Sequence, residues 1–115
     1  MRINDPQVAD FFLKHGYLAT LRTWTYEKKL GKMISVNLGP FGKIGAKVMK
    51  VIINPGPQDF SKFVCISSFR DPGEWLERAV KLHGKKPTRL VVIAHPTKTQ
   101  DPKLLQLIQE GVGHE

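Results

Sequence analysis

The stretch YLATLRTW, residues 17–24, is the first strong apolar run of the chain, and it alternates with the two-residue period of a β-strand. The alternation divides it into two faces, Tyr17, Ala19, Leu21 and Thr23 on one and Leu18, Thr20, Arg22 and Trp24 on the other. This pattern predicts a strand that lies half in and half out of a core. Arg22 then either reaches past the sheet into water or lines a cavity together with Thr20 and Trp24.

Three segments have the signature of a helix: an Asp at the N-cap, a Pro at the first helical position and a Gly at the exit. They span residues 5–16, 71–84 and 101–111. In the second of them Glu74 follows Asp71 by three residues, which is the spacing of a capping box. Four further runs, rich in apolar and β-branched residues between turn-rich connectors, predict strands at residues 32–38, 45–54, 62–67 and 89–96.

The order of these elements predicts the fold class. Five strands outnumber the three helices, and one helix precedes the last strand. This arrangement is typical of an α+β domain with a small β-barrel or strongly curved sheet of about five to six strands and two or three short peripheral helices. The 115 residues are enough for a single domain with its own core.

The charge of the chain indicates a class of partner. The formal net charge is +8, and residues 1–50 carry nine basic but only three acidic side chains. A cationic half of a small domain favours polyanions, nucleic acid first and an anionic membrane surface second. The alternative is that a basic composition serves solubility or heat stability alone.

The compartment is expected to be the cytoplasm. The chain has one cysteine, Cys65, so an internal disulfide is excluded. The first sixteen residues lack the apolar stretch of a signal peptide. The longest aliphatic run, LVVIA at residues 90–94, is far shorter than the roughly 20 residues that cross a bilayer, so no membrane partner is expected.

Several kinds of site are disfavoured. The loop GPFGKIG, residues 39–45, has neither the glycine spacing nor the Lys-Ser/Thr of a nucleotide-binding loop, so Lys43 is expected at the tip of a hairpin, where it could touch a nucleic-acid backbone. Cys65 has the setting of a small core residue rather than of a nucleophile. No metal or cofactor is predicted, because the four histidines are scattered at positions 15, 83, 95 and 114.

Aromatic and basic residues accumulate at the end of the first predicted strand. Aromatic rings stack on unpaired bases, and Lys and Arg attract the phosphate backbone. The candidate nucleic-acid-binding residues are Thr20, Arg22, Trp24, Tyr26, Lys28, Lys29, Lys43 and Lys47. The alternative is that Trp24 fills the core and that Lys28 and Lys29 only solubilise a loop. Lys47 joins the candidates on the hypothesis that its strand neighbours that of Arg22.

The order of elements and several short motifs resemble the ASCH domain, a compact relative of the PUA fold. The motifs that carry the resemblance are TLR at residues 20–22, KVMKV at 47–51, SSFRDPGEWL at 67–76 and the closing strand RLVVIA at 89–94. The resemblance covers roughly residues 15–96 and leaves residues 97–115 as a C-terminal helical extension. It implies a small β-barrel with a cleft lined by the Thr-x-Arg strand, in a family linked to RNA binding and to RNA or modified-nucleoside chemistry.

The resemblance also implies two enzymatic alternatives. One bacterial branch of the family hydrolyses the amide of 4-acetylcytidine, with a Lys three positions before the Thr and a Glu ahead of the later helix. Here Tyr17 stands at the Lys position, and Ser67, Ser68 and Phe69 stand around the Glu position. Ribonuclease members rely on a cleft lysine, which Lys47 could supply only from another strand. Without a basic partner Thr20 is a weak nucleophile, so catalysis is disfavoured.

The sequence therefore predicts an RNA-binding module that recognises single-stranded RNA or a modified nucleotide in a basic cleft. Arg22 would face the cleft and bind phosphate or stack on a base. Two alternatives remain open besides the hydrolases. Arg22 could instead pair with a carboxylate such as that of Glu74, and the apolar residues 104–108 could dock a protein partner.

Overall fold

The computed structural model describes residues 1–110, which form four α-helices and four β-strands with four short 3-10 turns between them. The helices are α1 (Pro6–His15), α2 (Pro57–Phe63), α3 (Pro72–His83) and α4 (Pro102–Glu110). The strands are β1 (Tyr17–Arg22), β2 (Met33–Asn37), β3 (Lys43–Ile53) and β4 (Arg89–Ala94). The predicted α+β class is confirmed.

The predicted helix ends are confirmed for α1 and α3. At the start of α1 the Asp5 carboxylate accepts a hydrogen bond from the backbone N–H of Gln7 at 3.0 Å. At its end Gly16 has a φ of 78°, a left-handed conformation that costs a glycine least, and its N–H donates to the carbonyl of Phe12. Gly84 ends α3 in the same way with a φ of 73°. Gly111, the predicted end of α4, lies outside the described residues.

The four strands form one antiparallel sheet in the order β1-β4-β3-β2. Strand β4 lies in the interior of the sheet, and its residues 90–94 are fully buried because both faces are covered. Strand β1 lies at one edge, yet Leu18, Ala19, Thr20 and Leu21 are all buried. The prediction that β1 lies half in and half out of the core is therefore wrong, since α1, α3 and the 3-10 turn Val64–Ile66 all pack against β1.

Residues 62–67 are helical, so the predicted fourth strand is wrong. They form the end of α2 and a 3-10 turn, Val64–Ile66. Phe60, Phe63 and Ile66 are all buried, and their spacing of three residues is that of one face of a helix packed on the core. Without this strand the sheet has four strands, and β1 and β2 at its edges do not pair with each other. The predicted barrel of five to six strands is not confirmed.

Strand β3 contains a bulge that changes which lysines share a face. Its register against β4 shifts between Val48 and Lys50, which leaves Met49 as an extra residue. Lys47 lies opposite Ala94 and Lys50 opposite Val92, so both lysines lie on one face rather than on opposite faces as strict alternation predicts.

The N-terminal segment, residues 1–4, lies along the outer edge of β2. The N–H of Ile3 donates to the carbonyl of Asn37 at 2.9 Å, and the N–H of Asn37 donates to the carbonyl of Met1 at 2.8 Å. From the other side Arg22 donates through Nη1 to the carbonyl of Arg2 at 2.8 Å. The segment thus joins the edge of β2 to the end of β1.

Helix α4 packs on the domain rather than standing free. Leu104 is only 2% exposed and belongs to the core. The Nζ of Lys50 donates to the carbonyl of Ile108 at 3.1 Å, where a helix has unpaired carbonyls and a favourable potential for a cation. None of the helices within residues 1–110 combines the length and the apolar character needed to cross a bilayer.

Candidate functional site

A cavity opens between the N-terminal segment, β1 and α3. Its volume is about 110 Å³. Polar side chains from all three elements line it, and apolar side chains of Phe69, Trp75 and Leu82 complete its wall. The polar lining residues are Arg2, Asn4, Asp5, Thr20, Arg22, Arg78 and His83. We name this space the Arg22 cavity.

Strand β1 supplies two of the predicted site residues to the cavity. Thr20 lies opposite Val91 and Arg22 opposite Arg89 in the register with β4, so both side chains leave the same face of the strand. Thr20 is only 7% exposed, and Arg22 is half-buried at the end of the strand. The sequence predicted that Thr20 and Arg22 share a face, and the register confirms it.

The guanidinium of Arg22 has no acidic partner among the described residues. Its Nη1 donates to the carbonyl of Arg2, while its Nε is buried and has no hydrogen-bond partner within residues 1–110. Burial lowers the pKa of the Arg22 guanidinium from its ordinary value. Because the ordinary pKa of arginine is far above 7, the group stays charged at neutral pH. The alternative ion pair with Glu74 is not observed, because the ion pairs among these residues join other side chains.

Arg89, directly across from Arg22, has the opposite environment. Its Nε and Nη2 donate to the two carboxylate oxygens of Glu27 at 2.8 and 2.9 Å. This two-pronged contact lowers the pKa of the Glu27 carboxyl and raises that of Arg89. Two arginines on neighbouring strands thus differ in one respect: Arg89 is neutralised by an acid and Arg22 is not.

The other charged groups of the cavity are already engaged in part. The Asp5 carboxylate caps α1 and also accepts a hydrogen bond from Nη1 of Arg78. The Nε2 of His83 lies 3.1 Å from the carbonyl of Leu21; because a carbonyl only accepts, Nε2 carries the proton there. With three guanidinium groups against one carboxylate, the polar lining has a net charge of about +2 at neutral pH.

Trp24 lies on the surface just beyond β1. It is 55% exposed, and its ring meets that of Tyr26 edge-on, with 5.0 Å between the ring centroids. Tyr26 is only 9% exposed and belongs to the core. The alternative that Trp24 fills the core is therefore wrong. Tyr26 is the buried aromatic residue here, and Trp24 packs against it from the solvent side.

The predicted lysines do not converge on the cavity. Lys28 and Lys29 are exposed on the 3-10 turn Tyr26–Lys29, which follows Trp24 in the chain. Lys43 is exposed where β3 begins, after the turn Gly39–Phe41. Lys47 lies on β3, and β4 separates it from β1, so the predicted adjacency of Lys47 and Arg22 is wrong.

Tyr17, the residue at the position of the resembling hydrolases' lysine, lines a different cavity. That cavity also contains Cys65, Ile66 and Leu104 and lies at the other end of β1 from Arg22. Cys65 is exposed rather than a core residue as predicted, since its segment is a turn and not a strand.

The cavity residues that were not among the predicted site residues include Arg2, Arg78 and His83. Each lies on an element that is remote in sequence from β1, and local patterns assign Arg78 and His83 to the polar face and the basic last turn of a helix. Only the packing of α3 and of the N-terminal segment against β1 brings them to Arg22.

No group of His, Cys, Asp and Glu side chains within residues 1–110 is arranged to hold a metal ion. Comparison of the chain with protein-family models, with curated proteins and with solved structures finds no match. The Arg22 cavity and the surface beside it are therefore the basis for a functional assignment.

Proposed function

We propose that this domain is an RNA-binding module that recognises single-stranded RNA or a modified nucleotide at the Arg22 cavity. The observation that carries the proposal is the guanidinium of Arg22, which borders an opening and has no carboxylate partner among the described residues. A half-buried cation without an acid gains more from an incoming anion than a cation that is already paired, because the cost of its desolvation is offset only when the anion arrives.

The exposed ring of Trp24 also supports the proposal, because it offers a surface on which a base can stack. It follows Arg22 by two residues, in the bend that begins where β1 ends. Its edge-on contact with the buried Tyr26 fixes the ring and leaves more than half of the side chain open to solvent. A base that stacks on such a ring gains about 1–3 kcal/mol.

Lys28 and Lys29 extend the cationic surface from Trp24 outwards. Both are exposed and neither forms an ion pair with another described residue. Such lysines attract the phosphate backbone without reading sequence. Lys43 and Lys47 do not line the cavity, and β4 separates their strand from β1, so we assign them no contact with the same stretch of RNA.

The ASCH/PUA-like relationship belongs to this proposal. It is supported by the order of the elements, which matches the predicted one except at residues 62–67, and by the N-terminal segment, which lies between the outer edge of β2 and Arg22 at the end of β1. A closing strand of a barrel would occupy this place. We propose that the segment is a reduced fifth strand of a PUA-like barrel.

The proposal is tested by titrating a fluorescent single-stranded RNA with the protein at several salt concentrations. With about three or four phosphate contacts, a fourfold rise in salt should weaken binding roughly 15- to 60-fold. Arg22→Met should weaken binding roughly 10- to 100-fold, since a charge-assisted hydrogen bond is lost. The matched control is Lys103→Gln on α4, which removes one positive charge far from the cavity and should change the affinity less than twofold.

The thermal transition of each variant is measured in parallel, because Arg22 also holds the carbonyl of Arg2. If Arg22→Met does not fold, Trp24→Ala replaces it, since Trp24 is largely exposed and its removal costs little stability. Flat titrations at low salt with both RNA and DNA would refute the proposal.

The hydrolase alternative has less support. Thr20 lines the cavity, but no described side chain that could act as a base forms a hydrogen bond with its hydroxyl, and Asp5 is occupied by the cap of α1 and by Arg78. Incubation with 4-acetylcytidine and with labelled RNA, followed by chromatography, decides the point: a product that Thr20→Val abolishes would favour the enzyme.

A further inference from the structure

We propose that the Arg22 cavity binds the terminal phosphate monoester of an RNA strand, at its 5′ or 3′ end, through two hydrogen bonds from Arg22. This inference rests on the proposed function and adds which part of the RNA enters the cavity. Four observations carry it: the unpaired Nε and Nη2 of Arg22, the paired Nε and Nη2 of Arg89, the charge of the cavity and its size.

The first observation is which nitrogens of Arg22 are in use. Nη1 donates to the carbonyl of Arg2, and no hydrogen bond within residues 1–110 involves Nε or Nη2. Nε and Nη2 form one side of the planar guanidinium, with their N–H bonds parallel. The Nε is buried, and Arg22 as a whole is half-buried and lines the cavity. A buried donor without an acceptor costs free energy, which a bound oxyanion offsets.

The second observation is an internal comparison. Arg89 lies directly opposite Arg22 on the neighbouring strand and uses the same Nε and Nη2 edge to bind both oxygens of the Glu27 carboxylate. The side of the sheet that carries the two arginines therefore already contains one two-pronged contact of a guanidinium with an oxyanion. Arg22 lines the cavity and has no such oxyanion partner within residues 1–110, so an oxyanion from outside the protein would complete the equivalent contact.

The third observation is charge. Arg2, Arg22 and Arg78 contribute three positive charges to the lining and Asp5 contributes one negative charge, which leaves about +2 at neutral pH. A phosphate monoester carries about −1.5 to −2 at pH 7, whereas an internal phosphodiester carries only −1. The terminal monoester is thus the group of RNA whose charge balances the cavity.

The fourth observation is size. A volume of about 110 Å³ leaves room for a group of a few water-sized atoms, as in a phosphate. Pockets that enclose whole drug-sized ligands are larger, roughly 300–1,000 Å³. A phosphate therefore fits the cavity, and Trp24, exposed two residues after Arg22, offers a stacking surface for a base.

The experiment compares three short RNAs of the same sequence with an internal fluorophore: one with a 5′-phosphate, one with a 3′-phosphate and one with hydroxyls at both ends. We expect one phosphorylated RNA to bind at least about tenfold more tightly than the unphosphorylated RNA. Added inorganic phosphate should compete with the terminal phosphate and so remove this difference in affinity. The same series is measured with Arg22→Lys, which keeps the charge but loses the two-pronged geometry and should reduce the preference to less than about threefold.

The outcomes separate this inference from the proposed function. If all three RNAs bind within twofold of each other, the terminal-phosphate inference is overturned while RNA binding stands. If a preference exists but survives in Arg22→Lys, the phosphate binds elsewhere and the inference is also overturned. If Arg22→Lys does not fold, Arg2→Gln decides, because Arg2 is exposed and its side chain lines the same cavity: an unchanged preference in that variant counts against the inference.

Discussion

At the scale of single residues, Arg22 and Arg89 show how strongly the environment decides what a side chain does. They lie opposite each other on paired strands, and each places its guanidinium on the same face of the sheet. Glu27 neutralises Arg89, and this contact attaches the turn Tyr26–Lys29 to β4. Arg22 holds only a backbone carbonyl and keeps one edge free. The alternation of β1 predicted the face of Arg22. No local sequence pattern predicted that Arg89 would bind the carboxylate of Glu27.

The contact between Glu27 and Arg89 predicts a pH dependence of stability. Because Arg89 lowers the pKa of the Glu27 carboxyl in the folded protein, the contact stabilises the fold above the unfolded pKa, about 4.3. This contribution is lost as the pH falls through the lowered folded value. Glu27→Gln should therefore lower the melting temperature at pH 7 but not at pH 2. Glu77→Gln, an exposed glutamate on α3, is the control and should change little at either pH. An equal effect of Glu27→Gln at both values would contradict the assignment.

At the scale of elements, α2 shows where pattern reading failed and why. The run at residues 62–67 is short and apolar, and such a run fits a strand as well as a helix. The helical signal lay one turn earlier, in Pro57 at the first helical position and Asp59, whose carboxylate accepts from the N–H of Gly56 at 2.8 Å. The buried spacing of Phe60 and Phe63 belongs to the same signal. Residues 54–59, NPGPQD, are rich in Asn, Pro, Gly and Asp, which are typical of turns as well as of helix starts, so local composition does not distinguish the two.

Helix α4 gives a prediction at this scale. Leu104→Ala should lower the free energy of unfolding by roughly 2–4 kcal/mol, because Leu104 is almost fully buried and its truncation leaves a cavity. Gln106→Ala, on the exposed side of the same helix, should change it by less than about 0.5 kcal/mol. Both values come from urea unfolding. An unchanged stability of Leu104→Ala would mean that α4 does not pack on the domain in solution and would favour a role for residues 104–108 in binding a protein partner.

At the scale of the whole molecule, the N-terminal segment connects parts that are far apart in sequence. It binds the outer edge of β2 through the carbonyl and N–H of Asn37, receives Arg22 at the carbonyl of Arg2, and leads through Asp5 into α1. The position of this segment sets one wall of the Arg22 cavity. The cavity therefore depends on the closure of the sheet edge as much as on β1.

Native-state hydrogen exchange tests this connection. The amide N–H groups of Ile3 and Asn37 each donate to a backbone carbonyl of the other segment, so we expect both to exchange at least about 100-fold more slowly than in an unstructured peptide, which corresponds to an opening free energy of about 3 kcal/mol. The exposed N–H of Lys86, for which the structure shows no backbone hydrogen bond, is the fast control. Fast exchange at Ile3 would mean that the segment detaches and that Arg22 loses its acceptor.

The sequence by itself determined the α+β class, the positions of β1, β2, β3 and β4 to within two residues, and the ends of α1 and α3, which depend on Asp, Pro and Gly. These features are local, because caps, turns and side-chain periods involve residues a few positions apart. The tertiary structure alone decided the strand order that separates Lys47 from Arg22, the bulge at Met49 and the gathering of Arg2, Arg78 and His83 around Arg22. Those features depend on contacts between residues 20 to 80 positions apart, which periodicity does not encode, and it is such contacts that leave one arginine paired and the other free.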